Sequence, residues 1–481
     1  MNQTAHSVHV APVVPGKRYS MLQKLAVGSG QSVEAAVSFV AATFLLFYLT
    51  NVCGIDPTIA GTILFISLAV DAVADPLIGS WSDRLRSRWG RRLPFMVIAL
   101  PVVSLATVAL FSIPVGWGHA AVITCALLSN IVLRVGTSLY ALPYAAMTAE
   151  LTTDYNERSS IAAYRALFSF VAAFACALPA FRFIFDSPQK MSSAAAHVEL
   201  GLLVAAVVFV TGALCLFGLS KMPRSHGPAL ASKSPHGSIV TDIRELLRNR
   251  SFVVLFISCL LCLVVAGSLQ ALNLYAYQYY WRLSAAQTQQ AVLTLQAGFL
   301  LGIPSALLLL RIVEKRTAMA IGFIALAAVQ GLLPLMAKLA PFAAIPASVI
   351  VCTMTFVFGV CASLLFITMQ SMVADAVDEH EYRFGTRCEG LYYSSLVFAT
   401  KAATGLGSLL AGVMLSAAGL KGVQSVSGAS GLSAEGATLL GMLWGPGHGL
   451  LFVLILPILL CYRIDRREHA RIIAALAQRA A

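Results

Sequence analysis

Long apolar stretches alternate with short polar segments from about residue 33 to residue 462. Most of these stretches approach or exceed the ~20 residues that a helix needs to cross the hydrocarbon core of a bilayer. The pattern therefore predicts an all-α, polytopic membrane protein with twelve transmembrane helices. The predicted spans cover residues 33–52, 58–81, 93–114, 119–148, 161–185, 198–220, 252–275, 291–312, 317–337, 343–373, 390–418 and 439–462.

One hydrophilic connection, residues 221–250, is longer than the others and divides the predicted spans six and six. Two halves joined by such a linker favour a transporter built from structural repeats, with its site between the halves near the middle of the membrane. The predicted parts are a cytoplasmic amino-terminal segment 1–32, a bundle 33–220, a cytoplasmic linker 221–250, a bundle 251–462 and a cytoplasmic tail 463–481.

Composition and charge agree with a membrane location. The chain is 58% hydrophobic and 11% charged, its mean hydropathy is +0.82, and a soluble core cannot absorb that much apolar surface. The net charge of +12 comes mainly from basic loops on the side of both termini, which predicts cytoplasmic termini rather than a nucleic-acid partner. No cleavable leader is visible at the start. We expect a monomer in a bacterial inner membrane.

Ionisable residues inside the predicted spans are the candidates for function, because each costs a few kcal/mol or more at the bilayer centre. Asp71 and Asp75 lie four residues apart, so one helix face carries both carboxylates. Such a pair needs a cation or a shared proton, and it predicts a site for H⁺ or Na⁺. The alternative is polar packing against an Arg or Lys. The full set is Glu34, Asp71, Asp75, Arg134, Arg165 and Lys401.

The loop after the second predicted span is strongly basic. Its positive charge is sufficient to orient the chain in the membrane. A further hypothesis is a charge network that ties helix ends together and opens during transport. The candidate gating residues are Asp83, Arg84, Arg88, Arg91 and Arg92.

Three ordered blocks carry a resemblance to a known family. They are residues 71–94 (DAVADPLIGSWSDRLRSRWGRRLP), 143–158 (PYAAMTAELTTDYNER) and 374–401 (ADAVDEHEYRFGTRCEGLYYSSLVFATK). The chain resembles the glycoside-pentoside-hexuronide:cation symporters, the melibiose-permease-like branch of the major facilitator superfamily. The resemblance implies a major facilitator fold and cation-coupled uptake of a sugar or glycoside by alternating access.

The resemblance also implies roles for individual residues. Asp71 and Asp75 match the aspartates that bind the coupling cation. Lys401 matches a lysine between the cation and sugar sites, and Arg165 matches an arginine that contacts sugar hydroxyls. Both basic residues have an alternative role as counterions of the two aspartates.

Departures from the family pattern bear on the substrate. Two acids of the family fall at Ala35, beside Glu34, and near Ala141, which makes galactoside specificity doubtful and favours H⁺ over Na⁺. Arg134 is an extra base. With Arg165 it suggests a negatively charged substrate, such as a hexuronide or a sulfonated sugar; the alternative is that Arg134 pairs with Glu34.

Several uncharged residues remain open. Aromatic candidates for stacking on a sugar are Tyr140, Tyr144 and Phe366. Polar residues that either line a cavity or bond neighbouring helices are Gln270, Asn273, Gln296, Gln370 and His448.

Other function classes are less well supported. A cation-coupled carrier of a lysolipid or other amphiphile, or an efflux antiporter, would have the same fold. An enzyme or a receptor would need a catalytic constellation or a large soluble domain, and neither is visible. We expect no cofactor besides the coupling ion.

Overall fold

The computed structural model describes residues 19–85, 87, 89–152, 154–221, 244, 246–336, 345–386, 388–420 and 432–480. Within these ranges the secondary structure is helical, and eleven helices are long and apolar enough to cross a membrane. A further helix, Lys315–Met336, lies at the position of the ninth predicted span. The prediction of an all-α membrane protein is confirmed. Most of the predicted linker lies outside the described residues.

The amino-terminal half begins earlier than the sequence pattern predicts. Helical structure begins at Met21, where Ser20 and Gln23 form a reciprocal capping box. Asp56 caps the helix that carries the two aspartates by accepting from the amides of Thr58 and Ile59. The helices are α1 (Met21–Ser29), α2 (Gln31–Val40), α3 (Pro57–Arg84), α4 (Leu93–Phe111), α5 (His119–Glu150), α6 (Tyr155–Pro179), α7 (Pro188–Met191) and α8 (Ala194–Ser220).

The carboxy-terminal half ends in a helix beyond the last predicted span. Its helices are α9 (Arg250–Tyr275), α10 (Ala285–Ile312), α11 (Lys315–Met336), α12 (Ala347–Phe384), α13 (Glu389–Ala417), α14 (Ala434–Met442), α15 (His448–Leu460) and α16 (Arg466–Ala480). Several spans continue through π-helical turns, at Ala41–Leu45, Tyr48–Val52, Ala180–Ile184, Ala276–Tyr280 and Leu443–Gly447.

The two halves meet along α3 and α13. A Cβ added to Gly61 of α3 would lie 2.8 Å from the carbonyl oxygen of Ser408 on α13. Glycine is therefore required there for the two backbones to approach so closely. This close contact brings the middle of α3, with its two aspartates, against the middle of α13.

Hydrogen bonds also join the halves at the helix ends away from the chain termini. The hydroxyls of Thr50 and Tyr275 lie 2.6 Å apart, and the Tyr279 hydroxyl donates to Asn51 Oδ1 over 2.6 Å. The Phe47 ring packs against Tyr275 with 5.1 Å between ring centroids. The halves are therefore held together on the membrane side opposite the termini.

Candidate functional site

An ion cluster shared by the two halves lies midway along the spanning helices α3 and α13. Lys401 Nζ of α13 lies 2.9 Å from Asp71 Oδ2 of α3 and also bonds Asp75 Oδ2 one turn further along that helix. The Asp71 side chain is 4% exposed and that of Asp75 is 19% exposed. The structure thus brings together three of the residues that the sequence singles out. Because the lysine and the aspartates belong to different halves, the cluster links the halves electrostatically.

Asp71 has further partners on α5. Ser138 Oγ donates to Asp71 Oδ1 over 2.6 Å, and Arg134 lies one helical turn earlier on the same face of α5. Asp75 differs, because its Oδ1 atom is buried and has no hydrogen-bond partner in the described part of the chain. An unpaired buried acceptor is costly, and a hydrogen-bond donor at this atom would remove the cost.

Ser138 is not among the residues that the sequence pattern singles out. The available signal was its position four residues after Arg134, which puts both side chains on one face of α5. That face turned out to be the one that contacts α3.

A second polar cluster surrounds Arg165 of α6. The guanidinium donates through Nε and Nη2 to Gln31 Oε1, over 3.1 and 2.8 Å. Its Nη1 donates to Thr148 Oγ1 over 3.1 Å, and its Cζ lies 5.0 Å from the ring centroid of Tyr144. Gln31 Nε2 in turn donates to Glu34 Oε2 over 3.1 Å. Arg165 and Glu34 are therefore bridged by a neutral amide instead of forming an ion pair directly.

A shallow, open cavity of about 210 Å³ lies beside this cluster. It is lined by Gln31, Ala162, Arg165, Ala166 and Ser169. The small alanine and serine side chains of α6 leave the space that the arginine and the glutamine border. Gln31 and Thr148 are further residues that sequence reasoning missed; Thr148 lies four residues after Tyr144 on α5, so their spacing was the only local signal.

The three aromatic candidates lie in different surroundings. Tyr144 is 2% exposed, donates its hydroxyl to the Val27 carbonyl over 2.8 Å and presents its ring to Arg165. Tyr140 is fully buried behind it, with the two ring centroids 6.0 Å apart. Phe366 is 49% exposed and its ring lies 6.2 Å from that of Phe299 on α10. Only Tyr144 belongs to the Arg165 cluster.

The basic loop forms ion pairs within the amino-terminal half. Arg92 Nη1 lies 2.9 Å and Arg91 Nη2 lies 3.6 Å from Glu150 Oε1 at the end of α5. Arg84 is the last residue of α3 and is exposed. Arg88 and the side chain of Asp83 lie outside the described residues. The gating role of this loop stays a prediction.

Comparison with known proteins agrees with this architecture. Residues 26–466 match the family model described as MFS/sugar transport protein. The glucuronide carrier protein homolog of Escherichia coli K12 is 25% identical and the isoprimeverose transporter of Lactiplantibacillus pentosus is 26% identical. The matches cover 79% of both chains in the first case, and 91% of this chain and 87% of the relative in the second.

Solved structures show the same fold. A crystal structure of a D-xylose-proton symporter superposes with a TM-score of 0.61 at 13% identity, covering 92% of this chain and 96% of the other. The family match extends over nearly the whole length that contains the two helical halves. The chain therefore belongs to the MFS/sugar transport protein family, which confirms its resemblance to the glycoside-pentoside-hexuronide:cation symporters.

Proposed function

We propose that this protein is a proton-coupled symporter that carries a glycoside with an acidic sugar ring across a bacterial inner membrane by alternating access. The observation that carries this proposal is the ion cluster in which Lys401 of one half bonds Asp71 and Asp75 of the other. Such a cluster can respond to a bound cation and can transmit that response directly to the contact between the halves.

The donor set favours a proton over Na⁺. A sodium ion takes several oxygen ligands, whereas the Lys401 ammonium already bonds one oxygen of each aspartate. In the described part of the chain, no third Asp, Glu, His or Cys joins these two as a ligand. A proton needs only one acceptor, and the buried Oδ1 of Asp75 supplies it.

Protonation of Asp75 would weaken its attraction to Lys401. Asp71 would still hold the lysine, because it keeps its charge and its hydrogen bond from Ser138. One of the two links between the halves is then lost, so the halves can rock about the centre. The deprotonated carrier retains both links and resists this movement, which is the requirement for coupling.

The charge balance favours an acidic substrate. Asp71 and Asp75 balance Lys401 and Arg134, and Glu34 balances Arg165. Binding of a proton therefore leaves the central region with one net positive charge. A substrate carboxylate restores neutrality, and the Arg165 guanidinium, which borders the cavity, has the forked geometry to bind it once Gln31 moves aside.

The test is uptake into proteoliposomes of p-nitrophenyl β-D-glucuronide, with p-nitrophenyl β-D-glucoside as the neutral comparison, under a pH gradient or a Na⁺ gradient. We expect glucuronide accumulation driven by the pH gradient and abolished in Asp75→Asn. The matched control is Asp56→Asn on the same helix, where Asn preserves the N-cap.

Each alternative result contradicts a different part of the proposal. Accumulation driven only by Na⁺ contradicts proton coupling. Equal uptake of the two glycosides contradicts the acidic substrate, and unchanged uptake by Asp75→Asn contradicts the role of the ion cluster.

A further inference from the structure

The last helix of the chain, α16, makes contacts that the proposed proton and carboxylate sites do not use. Residues 461–465 join it to α15. Arg466 Nη2 donates to the carbonyl oxygens of Leu310 and Val313 at the end of α10, each over 3.0 Å. The last carbonyls of a helix have no partner within it, and a nearby arginine can satisfy them. The start of α16 is therefore held against the end of α10.

A further hydrogen bond brings the start of α11 to the same place. Arg316 Nη1 donates to the Tyr462 carbonyl over 3.2 Å, in the segment between α15 and α16. The end of α10, the start of α11 and the start of α16 therefore meet at one place on the surface. Five exposed arginines lie there and form the arginine cluster: Arg311, Arg316, Arg463, Arg466 and Arg467.

The charge of the arginine cluster is only partly compensated. In the described part of the chain, the side chains of Arg311, Arg463 and Arg467 form no hydrogen bond or ion pair. The acids of the same segments are Glu314 and Asp465, and Asp465 Oδ1 accepts from the backbone of α16 over 2.8 Å. Five arginines and two acids leave a net charge of +3. Neighbouring charges form ion pairs that cancel: Lys315 with Asp375, and Glu468 with Arg471.

The arginine cluster lies where the lipid-facing surface ends. Ile312 at the end of α10 is 79% exposed, and Leu460 at the end of α15 is 60% exposed. Exposed apolar side chains of spanning helices contact lipid, and within three residues of each the chain continues with an arginine of the cluster. Such a change from apolar to basic side chains is typical of the headgroup level of a membrane. The cluster is therefore next to the lipid headgroups on the side of the termini.

We propose that the arginine cluster binds the headgroup of an anionic phospholipid and thereby holds α16 on the membrane surface. Guanidinium groups bind phosphate through paired hydrogen bonds, and basic clusters beside a spanning helix attract anionic lipids. A zwitterionic lipid has no net charge to balance the surplus of the cluster. The acyl chains would lie against Ile312 and Leu460, so the occupant is a lipid and not free phosphate. The inference does not depend on which substrate is transported.

The experiment is native mass spectrometry of the full chain in detergent, titrated with dioleoyl phosphatidylglycerol. Dioleoyl phosphatidylcholine is the zwitterionic comparison with the same acyl chains, and inorganic phosphate is added as a competitor without acyl chains. The variant combines Arg463→Gln and Arg467→Gln, which leaves the hydrogen bonds of Arg316 and Arg466 in place. The matched control combines Arg248→Gln and Arg250→Gln, which removes two exposed arginines at the start of α9 on the same side of the membrane.

We expect one phosphatidylglycerol molecule to bind at least tenfold more tightly than phosphatidylcholine, and an equal concentration of phosphate not to displace it. Each arginine near an anionic surface contributes about fivefold to binding, so the cluster variant should bind about 25-fold more weakly. The control should bind less than threefold more weakly. Hydrogen exchange of the α16 amides should slow when phosphatidylglycerol is added to the wild type, and circular dichroism should show unchanged helix content in both variants.

Each contrary result overturns the proposal at a different step. Equal binding of the two lipids by the wild type excludes an anionic headgroup site, whether or not the variants fold. Equal weakening in the cluster variant and the control shows that only the overall charge attracts the lipid. Displacement by phosphate overturns a lipid as the occupant, and unchanged hydrogen exchange overturns the anchoring of α16.

Discussion

Replacement of Lys401 by Ala tests the electrostatic linkage between the halves most directly. The lysine makes one charge-assisted bond to each of two largely buried carboxylates. Removal of one partner from a buried ionic cluster costs about 3–5 kcal/mol, because it leaves uncompensated charge behind. Lys401→Ala leaves two carboxylates one helical turn apart, so we expect a loss of stability in that range.

Addition of Asp75→Asn to Lys401→Ala should restore part of the lost stability. The second substitution removes the repulsion, and Asp71 keeps its hydrogen bond from Ser138. Coupling energies between contacting residues are about 0.5–3 kcal/mol, so we expect the double variant to be about 1–3 kcal/mol more stable than Lys401→Ala. Asp75→Asn alone should be less destabilised than Lys401→Ala, because Lys401 still pairs with Asp71.

The assay is unfolding by denaturant in one detergent, followed by circular dichroism. The four proteins compared are the wild type, Lys401→Ala, Asp75→Asn and the double variant. Lys24→Ala provides the control. The Lys24 ammonium lies 2.9 Å from Glu157 Oε2 of α6, so this substitution breaks an ion pair that does not involve the two aspartates. The effects of Lys24→Ala and Asp75→Asn should add. If the effects of Lys401→Ala and Asp75→Asn also add, the three charges do not share one electrostatic site and the proposed linkage is wrong.

Two further predictions concern the substrate cavity and the junction between the halves. Gln31→Ala frees two donors of Arg165. The KM for p-nitrophenyl β-D-glucuronide should therefore fall several-fold, whereas the KM for the glucoside should change less. Equal changes in the two KM values would contradict the carboxylate site. Thr50→Val removes the bond to Tyr275, so the halves should separate more often on the side away from the termini. Maleimide labelling of the buried, free Cys53, followed by mass spectrometry, should then rise several-fold, and unchanged labelling would contradict a role for this bond in closure.

The sequence was sufficient to predict the spans, from hydropathy, and the carboxylate pair, from spacing. Asp71 and Asp75 share one helix face because residues four apart in an α-helix always do. The all-α membrane class followed from the length and hydropathy of the apolar stretches, and the structure agrees. The earlier start at Met21 was missed because capping by Ser20 and Gln23, and not hydropathy, determines where that helix begins.

The partners of these residues depended on the tertiary structure. Pattern and spacing place Lys401 in a span, and the family resemblance implies that it lies near the cation site. Its bonds to both aspartates exist because α3 and α13 pack closely enough to bring residues of different halves together. The contacts of Ser138 and Gln31 likewise follow only from the folded chain. The physical reason is that helical periodicity specifies which side chains share a face, whereas packing between helices decides what that face meets.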